Sequence, residues 1–449
     1  MTSVMARTST LQNALAHYYP QIQAALATID TDTAGFDPGS GLPDLDDRMK
    51  RFLDASIISV ADLGTYGASR LRLLDLMGNH RTRTTKTFAS LIIVARAVRY
   101  IQDTGERILI LTPSSGNKAT ALRDAVLRAI ECELITADQL QIVTVVPQGS
   151  RHKLWTSKLD LTPHWAAANP VALYDGRHAA DVKPLAQAVV DEHSEALARR
   201  SVRLWYSLAL PNYQVADAAR ALFEADHFPA EPGRDRLHVH SVSSAFGLLG
   251  HHFGRSLLNG PGPAPGYFLV QHLGTPDMVL HLRHGRIDEA DRPHYRYDAG
   301  TGLYHQDSEL TFPSTTFHPD EELDSTFYTR QPVTAAQMSA IIADQGGGGI
   351  VVSLHECLQR YAEVRSMLAG EVNVPADPRE LREWSLVMAM TGVLNAIDRG
   401  LLRHPDVVVH GSGSYATNDF KPLPSGRLTP VNCPGDLAAV VTGAVEAAR

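Results

Sequence analysis

Cysteine is scarce: Cys132, Cys357 and Cys433 stand far apart in 449 residues and form no metal-like pair. That spacing excludes a disulfide framework and leads us to expect reduced thiols. Long apolar runs are missing as well. The longest, such as residues 91–95 and 386–390, fall far short of a bilayer span. The first residues also lack the cationic and apolar blocks of a signal peptide, so a cytoplasmic chain without membrane contact is expected. Nor is there a surplus of positive charge. Lys and Arg number 41 against 49 Asp and Glu, a formal charge of -8 with no basic field to attract nucleic acid.

What is present is the composition of an ordinary globular chain, 44% hydrophobic and 20% charged. At 449 residues it exceeds what one hydrophobic core usually serves, so two packed lobes are expected, with room for a ligand between them. Residues 1–60 offer two short amphipathic helices and a Gly/Pro/Asp-rich linker at 36–46, and read as an N-terminal extension. From residue 91 onward helical segments alternate with short apolar strands at 108–111, 143–146, 204–208, 237–240, 268–271, 350–353 and 407–410. This alternation predicts an α/β chain, each lobe a mostly parallel sheet wrapped by helices. We expect residues 61–104 with 216–449 to form a large domain and 105–215 a smaller nested one. Residues 288–329 have no clear period and predict a long excursion.

Three loops carry polar chemistry. Pro113-Ser114-Ser115-Gly116-Asn117 lies between a strand and a helical stretch at 118–133. Unpaired N–H groups at a helix start, two hydroxyls and an amide make a cup for a small anion such as a carboxylate. Upstream, Lys86 heads an apolar periodic segment, and a lysine with an anion cup suggests a Schiff-base cofactor. Ser241-Val242-Ser243-Ser244-Ala245-Phe246-Gly247 precedes a helix at 248–258 and fits a phosphate monoester. Gly411-Ser412-Gly413-Ser414 follows the last strand. The 20 histidines invite a metal reading, above all His238 with His240 and His251 with His252. Adjacent helical histidines diverge and no Cys or acidic cluster completes a ligand set, so no metal is expected. His355, Glu356 and Cys357 read as a helix start.

The order of these motifs resembles fold-type II pyridoxal-phosphate enzymes, with the nearest likeness to the threonine synthase and cysteate synthase branch. Tyr267-Phe268-Leu269-Val270-Gln271 resembles the strand after that branch's phosphate loop. Residues 332–337, 347–353 and the following helix resemble its late helix, strand and helix, and the likeness spans about residues 74–420. The resemblance implies that Lys86 forms the cofactor's imine and later moves the substrate's α-proton. It implies that Asn117 lies beside the 3-hydroxyl, and that Ser114, Ser115, Gly116 and Asn117 hold the substrate α-carboxylate. Ser243, Ser244, Ala245 and Gly247 match the phosphate loop, and either Ser412 or Ser414 matches the partner of the pyridine nitrogen. Two positions depart from the pattern. Thr87-Phe88 replaces an acidic and a basic residue after the lysine, and the phosphate loop is poor in glycine. Lys118 is an unusual cation beside the cup and suits a second anion on the substrate.

By this resemblance the chain is a homodimeric lyase or transferase of amino-acid metabolism acting on a β-substituted amino acid, O-phosphoserine-like or another activated serine. A neutral hydroxyl at the pyridine nitrogen weakens the electron sink and favours β-elimination or β-replacement through an aminoacrylate. Threonine synthase-type γ-elimination with β-replacement is the alternative. A degenerate relative that binds an amino acid or the cofactor without turnover comes from another class.

Overall fold

The computed structural model describes residues 7–29, 35–207, 210–260 and 262–448. They fall into two compact units. One comprises the stretch ending at Leu11, Ile57–Gly78 and Arg220–Asp419, and the other Gln12–Ser56, Asn79–Ala219 and Phe420–Arg449.

The first unit is built on seven strands in the order Arg7–Leu11, Ile58–Tyr66, Ser69–Asp75, Asp406–Gly411, Arg236–Ser241, Gly266–His272 and Gly347–Val352. The first two pairings are antiparallel, and the remaining four are parallel. Asp406–Gly411 and Gly266–His272 are buried at every position, as expected of parallel strands covered on both faces. Helix Ser385–Asp398 packs on this sheet. Its approach depends on Gly392, where a Cβ would lie 2.5 Å from Cγ1 of Val270.

The second unit carries five strands in the order Leu428–Val431, Val171–Tyr174, Leu140–Pro147, Arg107–Pro113 and Val202–Tyr206. Every pairing is parallel. Helices Lys86–Thr104 and Asn117–Glu131 pack against each other. The first is buried along most of its length and ends at Gly105, whose φ of 71° takes the left-handed turn that glycine alone adopts without strain.

The α/β architecture with helix-wrapped parallel sheets is therefore present, with seven expected strands found in place. The strand expected at 204–208 runs Val202–Tyr206, and Leu208 lies outside the described residues. Other elements differ from expectation. Residues 12–56 and helix Lys86–Thr104 belong to the unit that holds the Ser-Ser-Gly-Asn loop, as does the C-terminal segment from Phe420. Residues 288–329 contain a small antiparallel sheet of Arg296–Asp298, Leu303–His305 and Thr315–Thr316, strands too short to leave a period. Ser353 and Glu356 form a capping box, so the start at His355 is a polar cap as expected. Among the described residues no helix is long and apolar enough to cross a membrane, and all three cysteines are free thiols.

Candidate functional site

In the five-stranded unit, the Ser-Ser-Gly-Asn turn leaves the C-terminal end of Arg107–Pro113, the edge at which open parallel sheets bind ligands. Gly116 caps the next helix with φ 112°, and a Cβ there would lie 2.8 Å from the Lys153 Cβ, so no other residue fits. Ser114 Oγ accepts from the backbone N–H of Gly116 at 3.1 Å and of Ala119 at 2.8 Å. Accepting twice leaves the hydroxyl proton to be donated elsewhere. Ser114 thus ties the turn together and keeps a donor for an anion. Asn117 is the first helical residue and is buried.

Lys86 is the first residue of its helix and only partly buried. The loop before it is fastened to the cup helix by a buried network. Asn79 donates to Asp124 at 2.9 Å, Arg128 donates to Asp124 at 2.9 Å and to Asn79 at 3.2 Å, and the hydroxyls of Thr82 and Thr87 lie 2.7 Å apart. The consequence is seen at Tyr213. The Lys86 amine lies 5.6 Å from its ring centroid and the Lys118 amine 5.9 Å, both within cation–π range. Burial, reinforced by Lys86 and Lys183, holds the Lys118 amine well below the ordinary lysine range. Thus Lys86 and the first turn of the cup helix meet at one aromatic ring, and Lys118, read from the sequence as suited to a second anion on the substrate, is a buried amine beside them.

In the seven-stranded unit, the other two loops leave adjacent parallel strands, with His410 in register with His240. They are pinned together by Ser241 Oγ and Ser412 Oγ, 2.8 Å apart. Helix Phe246–Ser256 starts from Ala245, which offers no side-chain cap. Ser243 and Ser244 are thus not the N-cap, which disposes of the simplest structural role for their hydroxyls. The backbone is held instead by Thr334, whose hydroxyl donates to the Ser244 carbonyl at 2.8 Å. Ala245 itself sits at φ 52°, a left-handed conformation that costs an L-residue with a Cβ about 1–2 kcal/mol. Ala245→Gly should therefore raise the unfolding free energy by about 1 kcal/mol. A urea midpoint equal to or below the parent's would show that the loop relaxes around the alanine.

The third loop separates its two serines. Ser412 Oγ meets Ser241, whereas Ser414 is 3% exposed and its Oγ has no hydrogen-bond partner among the described residues. A buried hydroxyl without a partner is costly. Sequence reading missed Glu383, whose fully buried side chain lies against Gly413, where a Cβ would come within 2.7 Å of its Cγ. A lone acid before a helix gave no signal of this. The glycine between the two serines is required by that contact.

Beneath these loops lies a cluster of buried histidines, and here one expectation is corrected. An acidic group does join them: Glu224, from a separate helix, brings an oxygen within 4.8 Å of ring nitrogens of both His238 and His251. Thirteen residues separate Glu224 from His238 in the chain, which concealed this. Both rings turn a nitrogen toward the Glu224 carboxyl. Arg220 donates from Nη1 to His410 Nδ1 at 3.0 Å, and an arginine only donates. His410 must then carry its proton on Nε2 and donate to His238 Nδ1 at 2.8 Å, which leaves His238 an Nε2–H facing Glu224 at 3.3 Å. His251 also faces Glu224, at 2.7 Å, and its other nitrogen meets the Tyr267 hydroxyl at 2.8 Å. Burial raises the Glu224 carboxyl, but His238 and His251 more than offset this and hold it well below the usual carboxylate range.

The structure resembles two threonine synthases. The enzyme from Escherichia coli matches with a TM-score of 0.57 over 96% of each chain at 13% identity. The pyridoxal-phosphate-bound enzyme from Brucella melitensis matches with a TM-score of 0.52 at 13% identity over 96% of this chain and 89% of the other. At such identity the likeness establishes the fold, that of fold-type II pyridoxal-phosphate enzymes. A comparison with curated proteins finds no match. Residues 10–445 match a single family model, and the chain belongs to that family, DUF6002, a family of unknown function.

Proposed function

We propose that this protein is a pyridoxal-phosphate-dependent enzyme that removes or replaces a β-substituent on an amino acid, with an activated serine as substrate. The observation that carries the reading is the meeting of Lys86 with the first turn of the Ser-Ser-Gly-Asn helix at the Tyr213 ring. A lysine that must bond an aldehyde and later move a proton needs an anion cup for the amino acid nearby. The unpartnered Ser414 hydroxyl and the uncapped serine loop fit the same cofactor.

When bound, pyridoxal phosphate supplies the electron sink that acidifies the α-carbon. Lys86 would hold the cofactor's aldehyde carbon and, once displaced by substrate, take the α-proton on Nζ. Ser115, Gly116, Asn117 and the remaining Ser114 proton would hold the α-carboxylate, with Asn117 also beside the 3-hydroxyl. In the seven-stranded unit, Ser243, Ser244, Ala245 and Gly247 would hold the phosphate, and Ser414, rather than Ser412, would face the ring nitrogen. A hydroxyl there leaves the nitrogen unprotonated, which favours prompt loss of a β-leaving group over a long-lived carbanion.

A second reading is γ-elimination with β-replacement, favoured by end-to-end likeness to threonine synthases. Protein purified with pyridoxal phosphate should show a visible band abolished by borohydride, and should release pyruvate and ammonia from O-phosphoserine or O-acetylserine. Threonine from O-phosphohomoserine in place of pyruvate would select the second reading. No band at all would leave a binding protein. Ser414→Asp should place a charge at the ring nitrogen, slow β-elimination and produce a long-wavelength band with substrate, while Ser412→Asp should not.

A further inference from the structure

We infer that Arg220 is a phosphate-recognition residue: its guanidinium backs the first turn of helix Phe246–Ser256 and supplies charge that the glycine-poor loop lacks. This rests on the cofactor reading above and names a residue that it does not include. Arg220 is 1% exposed. Its Nη2 lies 3.3 Å, and its Cζ 3.5 Å, from where a Cβ on Gly247 would stand. The ring of His240 shares that position, with Nδ1 at 3.4 Å from the same point. Its Nε2 is buried and has no hydrogen-bond partner among the described residues. Two polar groups, one a permanent cation, thus line the single glycine of the loop's helical turn, and a Cβ there would stand in contact with both.

The charge is held in place by the rings beneath. Because arginine only donates, the bond to His410 at 3.0 Å orders the protons of His410 and His238 in sequence toward Glu224, which Arg236 grips on its other oxygen at 2.7 Å. Stacking of His240 on His410, with ring centroids 3.8 Å apart, fixes the last ring. Swinging the guanidinium away would break its buried bond to His410.

A cation against a helix N-terminus is disfavoured by the helix dipole, since both are positive; an anion bound at that terminus reverses the sign of the effect. A phosphate monoester, which itself carries close to two negative charges, gains from both the dipole and the guanidinium. A dense glycine loop achieves the same end with bare N–H groups. Here hydroxyls from Ser243 and Ser244, the first-turn N–H groups and a buried guanidinium replace them.

The test separates phosphate recognition from packing by comparing pyridoxal phosphate with pyridoxal, which lacks only the phosphate. Apoprotein is titrated with each and the visible imine band gives Kd. Arg220→Gln should weaken pyridoxal phosphate at least tenfold and leave pyridoxal within about twofold. Arg220→Lys, which keeps the charge but withdraws it from Gly247, should fall between. Should the glutamine variant not fold, the lysine variant carries the test, together with inorganic phosphate. Phosphate should raise the melting temperature of the parent apoprotein more than that of Arg220→Lys. Equal weakening of both aldehydes, or phosphate protection unchanged by the substitution, would overturn this inference alone. Absence of any imine in the parent protein would overturn the cofactor reading and this inference with it.

Discussion

Lys86→Ala should abolish the covalent attachment of pyridoxal phosphate and lower turnover by a factor of about 10²–10⁴, the usual weight of a positioned proton-transfer group. The fold should survive. Lys86 is the first residue of its helix and only partly buried, and alanine is well suited to a helix. What makes the experiment sharp is a rival. Lys118 is a second amine on the same aromatic ring, buried and held well below the ordinary lysine range, which makes it a competent nucleophile by itself. Borohydride reduction of the parent protein followed by peptide mapping decides between them. The pyridoxyl group is expected on the peptide containing Lys86 and Thr87. Recovery on the peptide of Asn117 and Lys118 would move the catalytic amine to the first turn of the cup helix and make Lys86 its neighbour.

The two lysines also illustrate how much of this protein was legible in its sequence. Every expected strand from residue 108 onward reappears, because a short apolar run bounded by polar turns has few alternatives in a chain of this size. The three polar loops were visible for the same reason: each interrupts such a run at its C-terminal end. What escaped notice was contributed from afar. Strands Ile58–Tyr66 and Ser69–Asp75 form an antiparallel hairpin of mixed polarity inside the sheet, so neither shows the unbroken apolar run of the parallel strands. Glu224, Arg220 and Glu383 stand on helices or turns where a charged residue reads as solvated surface. Arg220 and Glu224 are buried against histidines distant in sequence, and Glu383 against Gly413. Spacing alone leaves the choice between Ser412 and Ser414 open, and the contact of Ser412 with Ser241 is a tertiary fact that supports proposing Ser414. Residues 12–56 read as an extension because their helices are short. Yet they belong with the five-stranded unit, where Arg96 anchors the linker by donating to Asp37 at 2.5 Å and Gly39 at 2.7 Å.

The seven-stranded unit should lose stability steeply as pH falls from about 7 to 5. Four of its histidines are buried and disfavour the charged form. Burial, with His238 nearby, pushes His251 down to about 3, and burial pushes His272 down to about 4. Burial and the adjacent Arg220 charge hold His240 well below its usual range, and His410 is lowered in the same way by burial, His240 and Arg220. In the unfolded chain each titrates near 6.5. A folded pKa below the unfolded one means that unfolding takes up a proton. The stabilisation is therefore complete above about pH 6.5 and is lost as pH falls toward the folded values. His251 and His272 then contribute up to about 1.4 kcal/mol each per pH unit, or roughly 1.5 kcal/mol each between pH 6.5 and 5, and His240 and His410 add a loss of the same sign. Glu224, held low, adds a loss of the same sign only below about pH 4.3. Urea titrations at pH 7.5, 6.0 and 5.0 report this directly, and Trp384, the one tryptophan in this unit, gives its transition a local signal. His272 lies apart from the cluster, bonded to Thr275 and the Phe327 carbonyl, so His272→Gln should flatten the dependence by about one proton without disturbing the others. A midpoint that stays constant from pH 7.5 to 5.0 would mean that the rings are already charged in the folded protein. The proton order running from Arg220 to Glu224 would then be wrong.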